Sequence, residues 1–350
     1  MMSRKDDIHP LKKINANMIL HVLSEMKTAT RKQLAERTGL SQPTVNTIVQ
    51  ELEEKGIVRP GDFAVSEGGR RPKCYTLQTD HLRAAVVRLL PQSLAYVVMT
   101  MDGKVIQRNV WTLTDNDSHL EKLQNLLQTL TKQDEHIRVI SVGVPGVVGP
   151  GGVLFSISQI PSLEGIALSR ALEEHLDVPV HVENDLNLVA LGSTVSGLTR
   201  PDSDIVFVHI GQGVGAGVVM GGRIVRGFSN FAGEIAFMVK DAGDGQCGKA
   251  LESLIIQTDD LMQKAQLIAE PLINIICLLN PPMVAFGGEL ITEELLRYLR
   301  QICEQHIPIW ALPTFHFMAD EDAAYEKGLL TLVHGVLSET HFAQTEGNVS

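Results

Sequence analysis

The spacing of apolar residues changes once along this chain, near residue 83, and that change limits what the chain can fold into. Over residues 15–58, apolar residues recur at the three- and four-residue spacing of amphipathic helices. From residue 83 onward, short apolar runs of strand length alternate with longer helical stretches. The sequence therefore predicts an α+β domain over residues 1–80, followed by a larger α/β domain over residues 81–350.

Three short helices are predicted in the first domain. Thr30, with Gln33 three positions later, is typical of a capping box that starts the second helix. Gly39 supplies a tight turn, and Ser41 can cap a third helix. The buried stripe of the third helix would be Val45, Ile48, Val49 and Leu52. This spacing is that of a helix-turn-helix. A generic three-helix bundle would account for the periodicity, but not for the turn glycine and the polar helix start together.

Short polar side chains point away from the buried stripe at the start of the third helix. They are Gln42, Thr44, Asn46 and Thr47. In a helix-turn-helix, the N-terminal residues of this helix reach the base edges in the major groove. Such side chains bind bases or phosphates. We therefore expect these four residues to contact double-stranded DNA.

A basic hairpin is predicted directly after the three helices. Residues 57–59 predict a strand, Pro60-Gly61 a turn, and Lys73–Leu77 a returning strand. A wing of this kind lies against phosphates or enters a narrow minor groove. Its expected DNA contacts are Arg70, Arg71 and Lys73. The alternative is an ordinary solvated basic loop.

The charge is divided in the same way as the apolar pattern. The chain has a net charge of −11, but residues 1–80 carry 13 Lys or Arg and 10 Asp or Glu, a net charge of +3. The remaining residues carry 17 and 31, a net charge of −14. This asymmetry is a reason to expect nucleic-acid binding by the first domain, although +3 over 80 residues is also within ordinary scatter.

The sequence predicts a cytoplasmic protein without a membrane partner. Its longest apolar runs fall far short of the roughly 18–20 residues of a membrane span, and the N-terminus lacks the apolar core of a signal peptide. Four cysteines are scattered without a Cys-x-x-Cys pair, which favours free thiols. They are Cys74, Cys247, Cys277 and Cys303.

The second domain begins with three consecutive predicted strands, at residues 84–90, 94–101 and 105–112. A helix at 120–130 and a strand at 139–142 follow. This order suits an α/β fold of two lobes with a cleft between them. A final helix at 323–337 is expected to return to the first lobe.

Five segments of the second domain occur in a recognisable order. They are Gly-Val-Pro-Gly at 143–146, Glu-Asn-Asp-Leu-Asn at 183–187, Gly-Gln-Gly-Val-Gly-Ala-Gly at 211–217, Gly-Glu-Ile at 233–235 and Phe-Gly-Gly-Glu at 286–289. Behind a winged helix-turn-helix, they make the chain resemble the repressor branch of the ROK family (repressors, open reading frames, kinases) over residues 12–340. The resemblance implies a two-lobed actin-like, sugar-kinase-like (ribonuclease H-like) second domain.

The resemblance also implies an effector site for a sugar or sugar phosphate. Its residues would be Asn184, Asp185, Glu234 and Glu252. In the kinases of the family, the position of Asp185 resembles a general base. Alternatively, Asn184 and Asp185 only cap the next helix. A phosphate-loop-like turn is implied at Gly211, Gly213 and Gly215, for which the alternative is a tight hairpin.

Two departures from the family pattern argue against catalysis and against a metal. The kinases carry Asp-x-Gly-x-Thr between the first two strands, whereas residues 88–93 here are Arg-Leu-Leu-Pro-Gln-Ser. Without a carboxylate to organise Mg²⁺ or a glycine to admit phosphate, we expect no kinase activity and no catalytic residue. Phe237 stands at the family's zinc-binding histidine, and only Cys247 remains of its cysteine cluster, so we expect no zinc and no cofactor.

The sequence therefore favours a sugar-responsive transcriptional repressor. It would bind a palindromic operator as a homodimer or homotetramer. One alternative is an active sugar kinase with an added DNA-binding domain. Another is a repressor whose sugar pocket is non-functional, since Phe237 changes that pocket, and which a protein partner controls.

Overall fold

The computed structural model describes residues 8–63, 72–78, 82–194, 204–239 and 250–343. These residues form two compact units. The first contains the described residues up to Val144, together with Gly152–Val182 and the residues from Leu329 onward. The second contains Pro145–Gly151 and the described residues of Glu183–Gly328.

The head of the first unit consists of three helices and a small antiparallel sheet. Its elements are α1 (Ile8–Met26), β1 (Ala29–Thr30), α2 (Arg31–Thr38), α3 (Gln42–Glu54), β2 (Val58–Phe63) and β3 (Lys73–Leu77), with the strand order β1-β3-β2. The predicted capping box is confirmed, because Gln33 N donates to Thr30 Oγ1 at 3.2 Å and Thr30 N donates to Gln33 Oε1 at 2.8 Å. Gly39 ends α2 in the left-handed region, at a φ of 71°. Strand β1 was not predicted.

The turn predicted at Pro60-Gly61 is wrong, because β2 continues to Phe63. Pro60 lies opposite Tyr75 and Phe63 opposite Lys73, with a shift of register between them. Proline has no N–H to donate and is tolerated on an edge strand, and glycine is common at such irregularities. The predicted wing tip, with Arg70 and Arg71, lies outside the described residues.

The rest of the first unit is built on a five-stranded sheet. The elements between residues 83 and 184 are β4 (Arg83–Leu90), β5 (Ser93–Thr100), β6 (Val105–Thr112), α4 (His119–Gln133), β7 (Ile137–Val144), β8 (Val147–Val148), β9 (Leu154–Phe155), α5 (Leu168–Glu173) and β10 (Val180–Asn184). Of these, β8 lies in the second unit, and the strand order of the sheet is β10-β7-β4-β5-β6. Strands β4, β5 and β6 pair antiparallel, and β7 runs parallel to β4. The three predicted strands are therefore confirmed to within one residue at each end.

The second unit is built on another five-stranded sheet. Its further helices and strands are α6 (Asp185–Thr194), β11 (Ile205–Ile210), β12 (Val214–Met220), β13 (Arg223–Ile224), α7 (Ala250–Gln257), α8 (Leu261–Leu279), β14 (Met283–Gly287), α9 (Glu293–His306), β15 (Thr314–Phe317) and the start of α10 (Glu321–Ala343). The strand order of this sheet is β13-β12-β11-β14-β15. Strand β14 runs parallel to β11 and β15, and β12 runs antiparallel to β11. Apolar side chains of β11, β14, α8 and α9 share one core.

Helix α8 is the one helix in the described part of the chain that is long and apolar enough to cross a membrane. Its buried face includes Ile268, Leu272 and Ile275, which belong to the core of the second unit. The core helix of a globular domain meets the same criteria of length and composition. Helix α8 begins at Leu261, because Asp260 caps it by accepting a hydrogen bond from Gln263 N at 2.6 Å.

Helices α6 and α10 cross in the second unit with no side chain between their backbones. A methyl group on Gly192 would overlap the carbonyl oxygen of Ala324, and one on Gly328 would overlap the carbonyl oxygen of Leu188. Such an approach requires glycine at both positions. The crossing therefore places the first turns of α10 directly on α6.

Candidate DNA-binding and effector sites

The polar residues expected to contact DNA lie in the first two turns of α3. Thr44 N donates to Ser41 Oγ at 3.3 Å, which caps the helix. Thr47 Oγ1 donates to the carbonyl oxygen of Pro43 at 3.1 Å, and Gln42 Nε2 donates to Asn46 Oδ1 at 3.5 Å. Gln42 and Thr47 are exposed, whereas Thr44 and Asn46 are half-buried. The opposite face of α3 is buried as predicted, so the helix presents one polar face from a fixed start.

Lys73 lies at the other end of α3. Its Nζ atom is 2.9 Å from Glu53 Oε1, near the last residue of the helix, and 5.3 Å from the ring centroid of Tyr75. Glu53 neutralises part of this charge. The structure therefore does not bring Lys73 to the helix start that carries Gln42 and Thr47. Arg70 and Arg71 lie outside the described residues.

Asn184 caps α6. Its Oδ1 atom accepts a hydrogen bond from Asn187 N at 3.0 Å, and its Nδ2 donates to the carbonyl oxygen of Gly146 at 2.7 Å. The capping role considered from sequence is thus present in this structure. Asn184 also ties the 145–151 segment to the start of α6.

Glu183 is the buried centre of this region, with 3% of its surface exposed. Its Oε1 atom accepts hydrogen bonds from Asn184 N and Asn187 Nδ2, both at 2.9 Å. Its Oε2 atom accepts from Arg226, with a distance of 3.1 Å to Nε and a second bond from Nη2. A buried carboxylate is stable only when charge and hydrogen bonds compensate it, and Arg226 supplies both.

The loop that follows Arg226 is fastened at several points. Ala232 N donates to the carbonyl oxygen of Arg226 at 3.1 Å, and Asn230 Nδ2 donates to the carbonyl oxygen of Val148 at 2.7 Å. Gly233 has a φ of 99° and lies so close to β12 that a Cβ atom would overlap the carbonyl oxygen of Ala216. The next residue, the half-buried Glu234, is therefore held beside the sheet.

None of the hydrogen bonds described above for Asn184 and Glu183 involves Glu252. Its Oε2 atom accepts a hydrogen bond from Val214 N at 3.0 Å, inside the glycine-rich turn. Within this turn, Gly211 N donates to the carbonyl oxygen of Gly213 at 2.9 Å, and β11 and β12 pair on either side. The hairpin considered from sequence is therefore present, and a carboxylate of this chain occupies one of its amides.

Two further carboxylates lie at the glycine-rich ends of β11 and β14. Glu321 Oε1 accepts a hydrogen bond from Gly288 N at 2.6 Å. Glu289 Oε2 lies so close to Gly211 that any side chain there would overlap it. These carboxylates, with Glu252, occupy positions where a phosphate would need free amides and positive charge.

His209 lies among the same carboxylates, with its Nδ1 atom 3.4 Å from Glu321 Oε2. Burial lowers the pKa of His209, but the adjacent carboxylate of Glu321 raises it, as do the charges of Asp185 and Glu289. The net result is a pKa above the ordinary value. Asp185, the first residue of α6, is half-buried and its Oδ1 accepts a hydrogen bond from Leu186 N at 2.9 Å.

Phe237 lies near Glu234, one of the carboxylates expected at the effector site. Its backbone N–H donates to the carbonyl oxygen of Glu234 at 3.1 Å, and its ring meets Phe231 edge-on at a centroid distance of 5.1 Å. Among the described residues, no group of three or more His, Cys, Asp or Glu side chains has the geometry of a metal site. Cys247 is outside the described residues, so the absence of zinc stays a prediction.

Several residues that organise the second unit were not predicted as functional residues from the sequence. They are Glu183, Arg226, Asn230, His209, Glu289 and Glu321. Glu183 and Glu289 lie within the segments at 183–187 and 286–289 that carry the family resemblance, so a charged residue beside asparagine or glycine could have marked each as a functional residue. Arg226 and Glu321 meet their partners only through the fold.

Comparisons with known proteins find similarity to both the N-terminal head and the α/β domain. The ROK family model matches residues 91–255, and the winged helix-turn-helix DNA-binding model matches residues 15–59. A putative xylose repressor of Caldicellulosiruptor sp. (strain Rt8B.4) is 28% identical over 244 residues, which are 68% of this chain and 61% of that protein. The DNA-binding transcriptional dual regulator NagC of Escherichia coli (strain K12) is 26% identical over 231 residues, 64% of this chain and 57% of that protein. The chain thus spans about three fifths of these curated relatives.

Solved structures show the same fold. A ROK family transcriptional regulator, described as a homolog of the E. coli MLC protein, has a TM-score of 0.70 at 17% identity and covers 95% of this chain and 99% of that one. A ROK hexokinase from Thermus thermophilus has a TM-score of 0.60 at 21% identity, covering 71% of this chain and 97% of that one. The predicted fold, a winged helix-turn-helix followed by a sugar-kinase-like α/β domain, is confirmed. Regulators and kinases share it, so fold alone does not separate them.

Proposed function

Because this chain joins a ROK family domain to an N-terminal winged helix-turn-helix domain, we propose that it is a sugar-responsive transcriptional repressor. The observation that carries the proposal is the polar start of α3, fixed by the Ser41 cap and exposed at Gln42 and Thr47. Its relatives named as repressors support the same function.

The DNA partner is a double-stranded operator. We propose that Gln42, Thr44, Asn46 and Thr47 contact base edges or nearby phosphates, and that Arg70, Arg71 and Lys73 of the wing contact the backbone or minor groove. A homodimer or homotetramer acting in the cytoplasm would place two heads about 34 Å apart, one turn of DNA, on a palindromic site.

The effector is a sugar. Asp185 and Glu234 are carboxylates held at a helix start and beside a strand, and they accept hydrogen bonds from sugar hydroxyl groups. Asn184 contributes as the link between α6 and the 145–151 segment. The carboxylates around the glycine-rich turn favour a neutral sugar over a sugar phosphate there, because like charges repel.

The test begins with selection of duplexes from a random-sequence library by the full-length protein. Enriched duplexes are then titrated with the protein in the presence of xylose, N-acetylglucosamine, glucose and their phosphates. We expect a palindromic sequence to be enriched and one neutral sugar to weaken its binding at least tenfold. Enrichment of no sequence would contradict the DNA-binding function, and a bound duplex that no sugar releases would contradict the sugar response.

We propose that the chain is not an enzyme, although its fold is shared with kinases. In the described residues, Val214 N and Gly288 N donate to Glu252 and Glu321 rather than standing free for phosphate. The 88–93 turn carries no carboxylate to hold Mg²⁺. Phosphoryl transfer depends on positioning and charge neutralisation, and the carboxylates at these described positions oppose both.

A coupled assay of ATP consumption across common hexoses tests this part. We expect no turnover above a protein-free control. A rate of about 1–100 per second, ordinary for kinases, would establish the alternative of a sugar kinase with an added DNA-binding domain.

A further inference from the structure

The turn after β5 is contacted by both the DNA-binding head and the C-terminal helix. Lys27, between α1 and β1, donates from Nζ to the backbone oxygen of Asp102 at 2.7 Å and lies 3.6 Å from Asp102 Oδ2. His334 of α10 has its Nε2 atom 2.7 Å from the carbonyl oxygen of Met101. A Cβ atom on Gly103 would lie 3.1 Å from Leu330 of α10. All these residues belong to the first unit.

The turn itself is firmly built. Thr100 N donates to the carbonyl oxygen of Lys104 at 2.9 Å, and Lys104 N donates to Thr100 Oγ1 at 3.1 Å. Thr100 Oγ1 also bonds to Asp102 Oδ1. Gly103 has a φ of 83°, which glycine adopts at low cost. Partners on either side of this turn therefore share a rigid support.

Lys27, on the head side of the turn, has an unusual backbone conformation. Its φ of 62° lies in the left-handed region, which is unfavourable for a residue other than glycine. Thr76 of β3 fixes it by donating from Oγ1 to the carbonyl oxygen of Lys27 at 2.8 Å. The lysine side chain is 61% exposed, so its contact with Asp102 is not a consequence of burial.

His334 is held on the other side by burial, with 1% of its surface exposed. The pKa of His334 is lowered to about 4, mainly by burial and also by the nearby charge of His21 on α1, while the hydrogen bond to Met101 and the charge of Asp102 oppose this shift. The side chain is therefore neutral at pH 7 and carries one N–H. Because the carbonyl oxygen of Met101 can only accept, that N–H is on Nε2.

Helix α10 carries residues of both units. In the second unit, Glu321 of its first turn accepts the Gly288 N–H, and Gly328 packs directly on the backbone of α6, the helix that Asn184 caps. From Leu329 onward, α10 belongs to the first unit and reaches the turn through Leu330 and His334. One continuous helix thus carries contacts of both kinds.

We propose that the turn at 101–104 is a joint that fixes the DNA-binding head to its lobe, with α10 as the element that supports it. The joint consists of Lys27, Met101, Asp102, Gly103 and His334. Loss of either the Lys27 or the His334 contact frees the head without unfolding the second unit. This mechanical link does not depend on which sugar the protein binds.

Hydrogen–deuterium exchange of the full-length protein, followed by mass spectrometry, tests the joint. Lys27→Met removes the exposed link, and His334→Leu removes the buried one. His334→Gln restores a donor that can reach the Met101 oxygen. Lys32→Met is the matched control, since Lys32 is an exposed lysine of α2 whose ion-pair partner, Glu36, is on the same helix.

We expect amides of α1 to exchange at least fivefold faster in Lys27→Met and His334→Leu, and at the wild-type rate in His334→Gln and Lys32→Met. Amides of β11, in the second unit, should be unchanged in all four. Wild-type exchange of α1 in Lys27→Met would overturn the joint, even if His334→Leu fails to fold. Equal acceleration by Lys32→Met would overturn it as well, because the effect would then not be specific to the link.

Discussion

Individual carboxylates decide what the second unit can hold. Glu252 accepts the Val214 N–H, and Glu321 accepts the Gly288 N–H. Each is an amide of a glycine-rich segment that, left free, would suit an anion. With carboxylates in place, an added phosphate would meet negative charge and no donor at these two points. These two hydrogen bonds therefore support the proposal that the chain senses a sugar and does not transfer a phosphoryl group.

The pH dependence of stability should report on His334. Its pKa is about 4 in the folded protein and 6.5 in the ordinary state, so below pH 6.5 the unfolded chain binds the proton more readily. The contribution of neutral His334 to the free energy of unfolding is fully present above pH 6.5 and is lost as the pH falls toward 4. Between pH 7 and pH 5, we expect wild type to lose about 2 kcal/mol more of its free energy of unfolding than His334→Gln.

Urea unfolding of the two proteins at both pH values measures this difference. Subtracting the His334→Gln curve removes the contribution of His209, whose raised pKa acts in the opposite direction and at higher pH. Identical pH dependence in the two proteins would show that His334 is not buried in its neutral form.

Some of these residues could be predicted from sequence and others could not. The Thr30 and Gln33 capping box is local, since both partners lie within one helical turn. Glu252 was assigned to the sugar site by resemblance, whereas the structure bonds it to Val214, 38 positions away. Which carboxylate reaches which amide depends on the packing of α7 against the sheet, and no local pattern records it.

At the scale of elements, α3 provides the sharpest test of DNA recognition. Gln42→Ala and Thr47→Ala remove exposed side chains at the helix start. Each should weaken binding to the selected duplex by about 1–3 kcal/mol, roughly five- to 150-fold, if the side chain contacts a base. Fluorescence anisotropy at fixed salt measures the affinity, because salt changes all such values.

Gln50→Ala is the matched control for α3. Gln50 is exposed on the same helix, but it lies two turns later and donates to Glu54 at 3.0 Å. Its removal should change the affinity less than twofold. Equal losses from Gln42→Ala and Gln50→Ala would place the DNA contact elsewhere on the head.

Elements with strong periodicity were predictable, and those that depend on their neighbours were not. Consecutive apolar segments of strand length predicted β4, β5 and β6, whereas the cap of α8 at Asp260 was not predicted. The turn at Pro60-Gly61 was wrong because β2 is an edge strand that pairs with β3 on one side only and therefore tolerates both residues. In the sequence, Gly192 and Gly328 are ordinary helix positions. Only the α6–α10 crossing shows why both must be glycine.

At the scale of the whole molecule, the division of charge follows the division of labour that we propose. A head of net charge +3 is attached to a remainder of −14. Positive charge supports binding to any DNA sequence, whereas the acidic remainder limits it. Discrimination would then depend mainly on the polar start of α3. The order of the two domains was predictable from the apolar pattern, because each has its own periodicity.

The joint, by contrast, could not be found in the sequence. It brings together Lys27 and Asp102, 75 positions apart, and Met101 and His334, 233 positions apart. Neither a lysine after a helix nor a histidine in an apolar helix is distinctive alone. Only the fold shows that both meet the same short turn.

At Lys27, the left-handed backbone favours one residue for local stability and another for the contact with Asp102. Glycine would adopt this conformation more easily and would make an isolated head more stable by about 1 kcal/mol. The same glycine would sever the contact with Asp102. A Lys27→Gly variant would therefore make the head more robust in isolation and, on the proposed joint, less firmly held in the full-length protein. At this one position, attachment and local stability call for different residues.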